Sequence, residues 1–359
     1  IFYVSYFKSS LLFFYFFISC VIYSQELDNN KQYEVACFGF YNLENLFDTI
    51  IDPDTNKILQ DDFSPHSQKQ WNTKKYFHKL NNMAEVISQL GVTSFSPDGV
   101  SVLGVCEIEN KNVLEDLVAN KKIKNRNYQI VHHEGPDRRG IDCGLLYNPK
   151  YFTVESSKSF RLKMPDDPDF ASRDQLLVTG EYSGERVHFI VLHWPSRRGG
   201  EKKSRPKRIQ AAILSKSIVD SILKIEPTAK VIIMGDLNDD PISPSVKEFL
   251  KAKGETSNFK DGEMFNCMMR HFKNGIGTLA YRDNWNLFDQ FVLTPSLIAQ
   301  NSSYKSFKFY TSKIYNKEFL KNQEGNFRGY PHRTYVGSTF MGGYSDHFPV
   351  YVLLVKEIE

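Results

Sequence analysis

Residues 230–241 read KVIIMGDLNDDP. The apolar run 231–234 makes a strand buried on both faces. It passes directly into Gly235, Asp236, Leu237 and Asn238, which puts a carboxylate and an amide side by side at a sheet edge. In α/β proteins ligands collect outside such strand ends. Asp and Asn are also ordinary turn formers after a strand, so the pair acquires meaning only in company.

Further candidate strands lie at 33–41, 100–106, 127–133, 142–147, 176–182, 187–193, 288–294 and 348–355. Helices are expected at 73–90, where Phe77, Leu80, Ala84, Ile87 and Leu90 share a face before Gly91, and at 205–225, with Ser204 as cap and Pro206 in the first turn. A third is expected at 244–253, capped by Ser243 and stopped by Gly254. The stretches 48–70, 160–175 and 255–285 read as surface loops. Nothing resembles a linker, so residues 25–359 form one α/β domain.

Two other strands end as this one, expected at 229–235, does. VSVLGVCEIEN delivers Glu107, and FGFYNLEN delivers Asn42 and Glu44. Oxygen donors from different strands, with no soft ligand among them, suit Mg²⁺ or Mn²⁺, with Ca²⁺ as an additional ion. His193 follows strand 187–192, and Asp346-His347 precedes the last strand. A histidine oriented by a carboxylate at the mouth of a sheet can activate water or protonate a leaving oxygen. His188, at a strand start, reads as structural. The segment 197–208, RRGGEKKSRPKR, has seven basic residues and one acid. It could bring Arg197 or Arg198 to a phosphate, while Lys202, Lys203, Lys207 and Arg208 read as a solvated loop and helix start.

YNLEN, GVCEIEN, LHWPSRRGG, GDLND, NLFDQFVL and YSDHFPV, in that order, resemble the endonuclease/exonuclease/phosphatase superfamily, pancreatic-type deoxyribonucleases included, over residues 33–355. The wording is most similar to its secreted bacterial branch. The resemblance implies a four-layer sandwich, two mixed β-sheets packed face to face and flanked by helices. It implies that Asn42 and Glu44 orient phosphate and metal, that Glu107 is the principal metal ligand, and that Glu134 orients His193. It further implies that Asp236 and Asn238 position water and phosphoryl group, and that Asp289 partners His347, which Asp346 precedes. Arg173 is similar to a phosphate-contacting arginine. Which histidine acts as base stays open. The activity implied is metal-dependent phosphodiester hydrolysis by in-line water attack, most of all a secreted nuclease. Phospholipid or inositol-phosphate cleavage, or a binding module without catalysis, are the alternatives.

The whole chain limits these readings. It has 359 residues, 41% hydrophobic and 14% aromatic, enough for a large core, and a formal charge of only +3. Any polyanion contact must therefore be local, with the aromatic tract 304–335 as a candidate stacking surface. Residues 1–24 carry one charge, Lys8, and an apolar run from Leu11 to Ile18, the parts of an export signal cleaved after Ser24. A lipid tether at Cys20 is the second reading. No later segment reads as membrane-spanning, and nothing calls for an obligate protein partner. Cys37, Cys106, Cys143 and Cys267 fit buried strands without a zinc pattern.

Overall fold

The computed structural model describes residues 27–28, 30–299 and 303–358. The expected leader and Cys20 lie outside these residues. In chain order the first half comprises β1 (Gln32–Leu46), α1 (Thr73–Gln89), β2 (Val102–Ile108), α2 (Lys111–Val118), β3 (Gln129–His132) and β4 (Asp142–Tyr147). Next come β5 (Phe152–Phe160), β6 (Gln175–Tyr182), β7 (Glu185–His193), α3 (Glu201–Ile225) and β8 (Lys230–Asp236). Short pieces follow: β9 (Ala252–Lys253), β10 (Met264–Asn266), α4 (Met269–Lys273) and the hairpin β11 (Leu279–Tyr281) and β12 (Asn284–Asn286). The chain closes with β13 (Asp289–Leu293), β14 (Lys308–Ile314), the ribbon β15 (Tyr335–Val336) and β16 (Thr339–Phe340), and β17 (Val350–Ile358).

Two mixed sheets dominate, ordered β14-β17-β1-β2-β4-β3 and β5-β6-β7-β8-β13-β10-β9. Between them lies a core that includes Phe38, Phe40, Val102, Leu145, Phe189, Met234, Phe291 and Val352. On the far side of the first sheet, Leu80, Met83, Val86 and Ile87 of α1 and Leu114 and Leu117 of α2 bury against Leu103, Val105 and Leu146. On the far side of the second, Ala211, Ala212, Ile218 and Val219 of α3 cover Ile190, Leu192, Ile233 and Val292. The four-layer sandwich follows: each sheet must bury both faces, and the helices supply the outer cover.

Some expected elements differ. The 244–253 helix is a single π-helical turn, Ser245–Phe249. Lys251 turns left-handed at φ 56°, and Ala252 then pairs with Met264 at the sheet edge. Backbone pairing there outcompetes continuation of a short helix. Helix α3 starts at Glu201, after Gly200 at φ 106°. Ser204 is inside it and donates its hydroxyl to the Gly200 carbonyl at 2.8 Å, so it is no cap. All four body cysteines are buried and free. Within 304–335, Tyr304, Phe307 and Tyr315 are buried. Among the described residues no helix is long and apolar enough to cross a membrane.

Gly235 shows how tightly β7 and β8 meet. A Cβ there would stand 2.3 Å from the Leu192 carbonyl oxygen. We expect Gly235→Ala to cost roughly 1–3 kcal/mol through overpacking, measured by urea unfolding. An unchanged midpoint would contradict this approach of the two strands.

Candidate functional site

The registers of the second sheet set up the site. His193 pairs with Asp236 across the parallel β7–β8 ladder, and Asp289 pairs with Asp236 across the antiparallel β8–β13 ladder. Residues opposite one another in a sheet point to the same face. His193, Asp236 and Asp289 therefore form a lateral row at one sheet edge.

The first sheet contributes through two irregularities. Glu107 is the extra residue where the β2–β4 ladder slips between Cys106 and Ile108, and the β1–β2 ladder slips between Asn42 and Leu46. Bulges re-aim side chains next to active sites. Glu44, Asn45 and Glu107 take φ values of 47°, 52° and 59°, and Asn238 takes 51°. This left-handed region is uncommon for glutamate and marks backbone held in place by its surroundings. One restraint is visible: the Asn45 N–H donates to Glu107 Oε2 at 3.0 Å.

The edges of the two sheets then meet. Asn42 Nδ2 donates to Asp236 Oδ2 at 3.2 Å. His193 Nε2 lies 3.7 Å from both Glu107 Oε1 and Asp236 Oδ2. His347 Nε2 lies 3.9 Å from Asp236 Oδ2, while its Nδ1 is 2.7 Å from Asp289 Oδ2. The Asn238 N–H donates to Asp236 Oδ1 at 2.8 Å, and its side-chain amide donates to the Trp194 carbonyl at 3.0 Å. Asn42, Glu107, His193, Asp236, Asn238, Asp289 and His347 thus form one cluster where the two sheet edges meet.

The two histidines carry different charge. Burial pushes His193 well below its ordinary value, and Arg173, Arg139 and His347 push it the same way. These influences favour the neutral ring, and its Nδ1 is buried without a hydrogen-bond partner. Burial also pulls on His347, but Asp289 and Asp236 outweigh it and hold the ring well above the ordinary range, as imidazolium. Burial lifts Asp236 to about 7; His347 lowers it and Asp289 raises it further.

Five residues expected at the site have other partners in the structure. Glu134 does not reach His193; its exposed carboxylate pairs with Lys57 at 3.2 Å, near His132 and Asp142. Glu44 and Asp346 are held by cations. Arg333 bonds Glu44 Oε1 at 3.2 Å and Asp346 Oδ2 at 2.6 Å. Glu44 Oε2 accepts from the Thr334 N–H at 2.7 Å and is 3.9 Å from the fully buried Lys79. Both oxygens of Glu44 are therefore engaged, and one oxygen of Asp346 is taken up by Arg333. Arg197 braces the Asp236–Asp240 turn: its Nε donates to the Asn238 carbonyl at 3.0 Å, and one Nη is 3.1 Å from both Asp239 and Asp240. Arg173 is buried behind the cleft on Asp137 and the Trp194 carbonyl. It acts on His193 through its field.

The sequence reading missed Arg139. Half-buried beside Asp137 at 3.5 Å, it feels both Glu107 and Arg173 electrostatically. Its place in the HHEGPDRRG segment, two residues after an acid that turns it inward, was the available signal. It also missed Lys79 and Arg333, distant in sequence from every motif.

The carboxylates fit a hard divalent cation. Asp236 and Asp289 offer oxygens within 4.8 Å of one another, the buried Asp289 Oδ1 has no partner, and Glu107 adds a carboxylate with oxygen chemistry suited to such an ion.

Comparison with known proteins agrees with this architecture. The sequence model described as Endonuclease/Exonuclease/phosphatase family matches residues 37–356, and the chain belongs to that family. No curated protein matches it at a significant level. Among solved structures, truncated TDP2 of Caenorhabditis elegans is 14% identical at a TM-score of 0.51, covering 89% of this chain and 97% of that one. A mannosyl-6-phosphatase of Bacteroides thetaiotaomicron is 16% identical at 0.51, covering 89% and 99%. The human Nocturnin catalytic domain is 11% identical at 0.54, covering 92% and 98%. At these identities the likeness is one of fold.

Asp289 is the carboxylate nearest the His347 ring. Asp289→Asn should lower the pKa of His347 by about one unit or more, read by NMR titration of the ring. An unmoved titration would remove Asp289 as the source of its charge.

Proposed function

We propose that this chain is a divalent-cation-dependent phosphoester hydrolase in which water attacks phosphorus in line with the leaving oxygen. One observation supports the reading above others: Asn42, Glu107, His193, Asp236, Asp289 and His347, spread over 306 positions from residue 42 to residue 347, face one cleft. A cation at Glu107 and the neighbouring carboxylates would neutralise non-bridging phosphoryl oxygens. The protein's own groups have separable tasks. Asn42 and Asn238 fix Asp236 and the turn after it. Neutral His193, beside Asp236, accepts the proton of the attacking water. Imidazolium His347, held by Asp289, donates to oxygen that gains negative charge. Arg139 offers a guanidinium to the phosphoryl group.

The substrate reading favoured is a small phosphoester. The nuclease reading relied on 197–208 and 304–335. Arg197 is paired with Asp239 and Asp240, Arg205 with Glu201, and Arg208 with Asp239. Those three arginines are taken up by the protein's own carboxylates, and much of the aromatic tract is core. A secreted nuclease remains the second reading on a separate observation. Half-exposed Trp285 of the β11–β12 hairpin stacks 6.1 Å from Phe348, next to His347, and 5.9 Å from Tyr330. That surface could hold a base. Export belongs to the proposal as well and rests on the sequence of residues 1–24.

Purified protein should hydrolyse phenyl phosphate or bis-p-nitrophenyl phosphate with Mg²⁺ or Mn²⁺, lose activity in EDTA and regain it on adding either ion. Asp236→Ala and His347→Ala should each lower kcat by about two orders of magnitude or more. Turnover indifferent to chelation, or near-normal turnover in both variants, would sink the mechanism.

A further inference from the structure

Away from the reaction centre, residues 52–60 read DPDTNKILQ. Oxygen-bearing side chains stand at alternate positions, Asp52, Asp54 and Asn56, and Gln60 follows. Calcium loops place ligands at such alternate positions, because the ion draws about six to eight oxygens from one short segment. The stretch departs from the helix–loop–helix type of calcium loop at two places. Lys57 stands where that type has glycine, and Phe63 where it has a bidentate glutamate.

Spacing of acids alone makes no site. Gln60 adds a separate observation: it is only 5% exposed, and its Oε1 is buried and accepts no hydrogen bond. Its Nε2 donates to the Asp54 carbonyl at 2.9 Å, which holds the amide, and with it the unpartnered oxygen, against the middle of the loop. A buried acceptor without a donor carries a desolvation cost that native structures rarely leave standing. A cation would satisfy this oxygen.

The charges of the loop leave room for one. Its single cation, Lys57, pairs with Asp52 at 2.6 Å and with Glu134 at 3.2 Å, not with Asp54. One oxygen of Asp54 accepts from the backbone and side-chain amides of Asn56. The Asp54 side chain is exposed, so its carboxylate is open to an ion from solution. Carboxylates mixed with neutral amides on an exposed loop suit Ca²⁺, which tolerates irregular geometry, better than Mg²⁺, which demands a near-ideal octahedron.

We infer that the loop 52–60 is a calcium site to which Asp52, Asp54, Asn56 and Gln60 supply oxygens. The site is independent of the phosphoesterase reading, and its task is structural. The Ile58 N–H donates to the Arg138 carbonyl at 2.8 Å, and a Cβ on Gly140 would stand 2.9 Å from Lys57 Cβ. The loop therefore backs the segment that carries Arg139. Without a bidentate glutamate, its affinity belongs to the weak range of extracellular calcium modules, roughly 0.1–1 mM.

The test titrates Ca²⁺ by calorimetry into the full chain carrying Glu107→Gln and Asp236→Asn, which removes two carboxylates of the reaction centre. This protein should still bind Ca²⁺ in that range, and roughly 10 mM Ca²⁺ should raise its Tm by about 2 °C or more. Mg²⁺ should bind about tenfold more weakly. Adding Asp54→Asn, which removes one charge from an exposed side chain, should weaken Ca²⁺ binding about tenfold or more. Gln60→Met, which removes the unpartnered oxygen at similar volume, should act in the same direction, and circular dichroism verifies that each variant folds. No Ca²⁺ binding by the protein substituted at Glu107 and Asp236, an affinity that neither loop substitution moves, or Mg²⁺ bound as tightly as Ca²⁺ overturns the inference. Phosphoester turnover by the unsubstituted chain in Mg²⁺ is measured apart from this titration, so the phosphoesterase reading stands or falls on its own.

Discussion

The hydrogen bond from Asn42 to Asp236 joins the ends of two sheets whose facing surfaces are largely apolar. It forms only if β1 and β8 end at the same depth. The inter-sheet core imposes that condition. Phe38 meets Phe189 edge to face at 4.9 Å, and a Cβ on Gly104 would stand 2.7 Å from Met234 Sδ. Packing at that distance leaves little freedom to slide. The row His193–Asp236–Asp289 is fixed by ladder register, and the bulge at Glu107 turns a fourth side chain toward it. A left-handed glutamate costs on the order of 1–3 kcal/mol. The bond from Asn45 to Glu107 offsets part of that cost. The strain is confined to the strand ends where the carboxylates must converge.

Convergence of acids carries an electrostatic cost that neighbouring cations limit. Glu44 and Asp346 show how. Burial and Asp346 raise the Glu44 pKa, while Lys79 and Arg333 lower it. For Asp346 burial acts upward as well, yet Arg333, His347 and Lys79 prevail and hold it below its ordinary value. The fully buried Lys79 is itself shifted down by burial against the pull of Glu44. A network of this kind is weak evidence for stability as a whole, but it penalises loss of any single member. Here it anchors the segment containing Arg333 and Thr334 to β1.

The parts of this organisation legible in the sequence are those with a strong periodic signal. The buried strands expected at 229–235, 187–193 and 100–106 announce themselves as almost uncharged apolar runs, and the acids and histidines at their ends follow. Strand β5 does not, because as a sheet edge it carries the exposed polar stretch Glu155–Lys158. Helix α2 is only eight residues long, too short for a clear repeat. At the site, residue type and strand position located the main side chains, but direction could not be read. Glu134 and Arg139 are five residues apart in one loop, and the acid points to Lys57 while the guanidinium points inward. Arg333 lies in no recognised motif, and its contact with Glu44 spans 289 positions. The basic run 197–208 misled because composition counts charges without their partners; most of its arginines meet Asp239, Asp240 or Glu201.

The histidines show how far position alone can carry a functional reading. Both are buried at strand ends and both approach Asp236, so neither sequence context nor distance to that carboxylate distinguishes them. What separates them is the second neighbour. His347 has Asp289 on its far nitrogen, whereas His193 has an unpartnered Nδ1 and the fields of Arg173 and Arg139. Their surroundings therefore push the two rings in opposite directions, His347 toward the charged form and His193 toward the neutral one. In the proposed mechanism that asymmetry lets one imidazole receive a proton while the other gives one, and it arises from Asp289 beside one ring and Arg173 and Arg139 around the other.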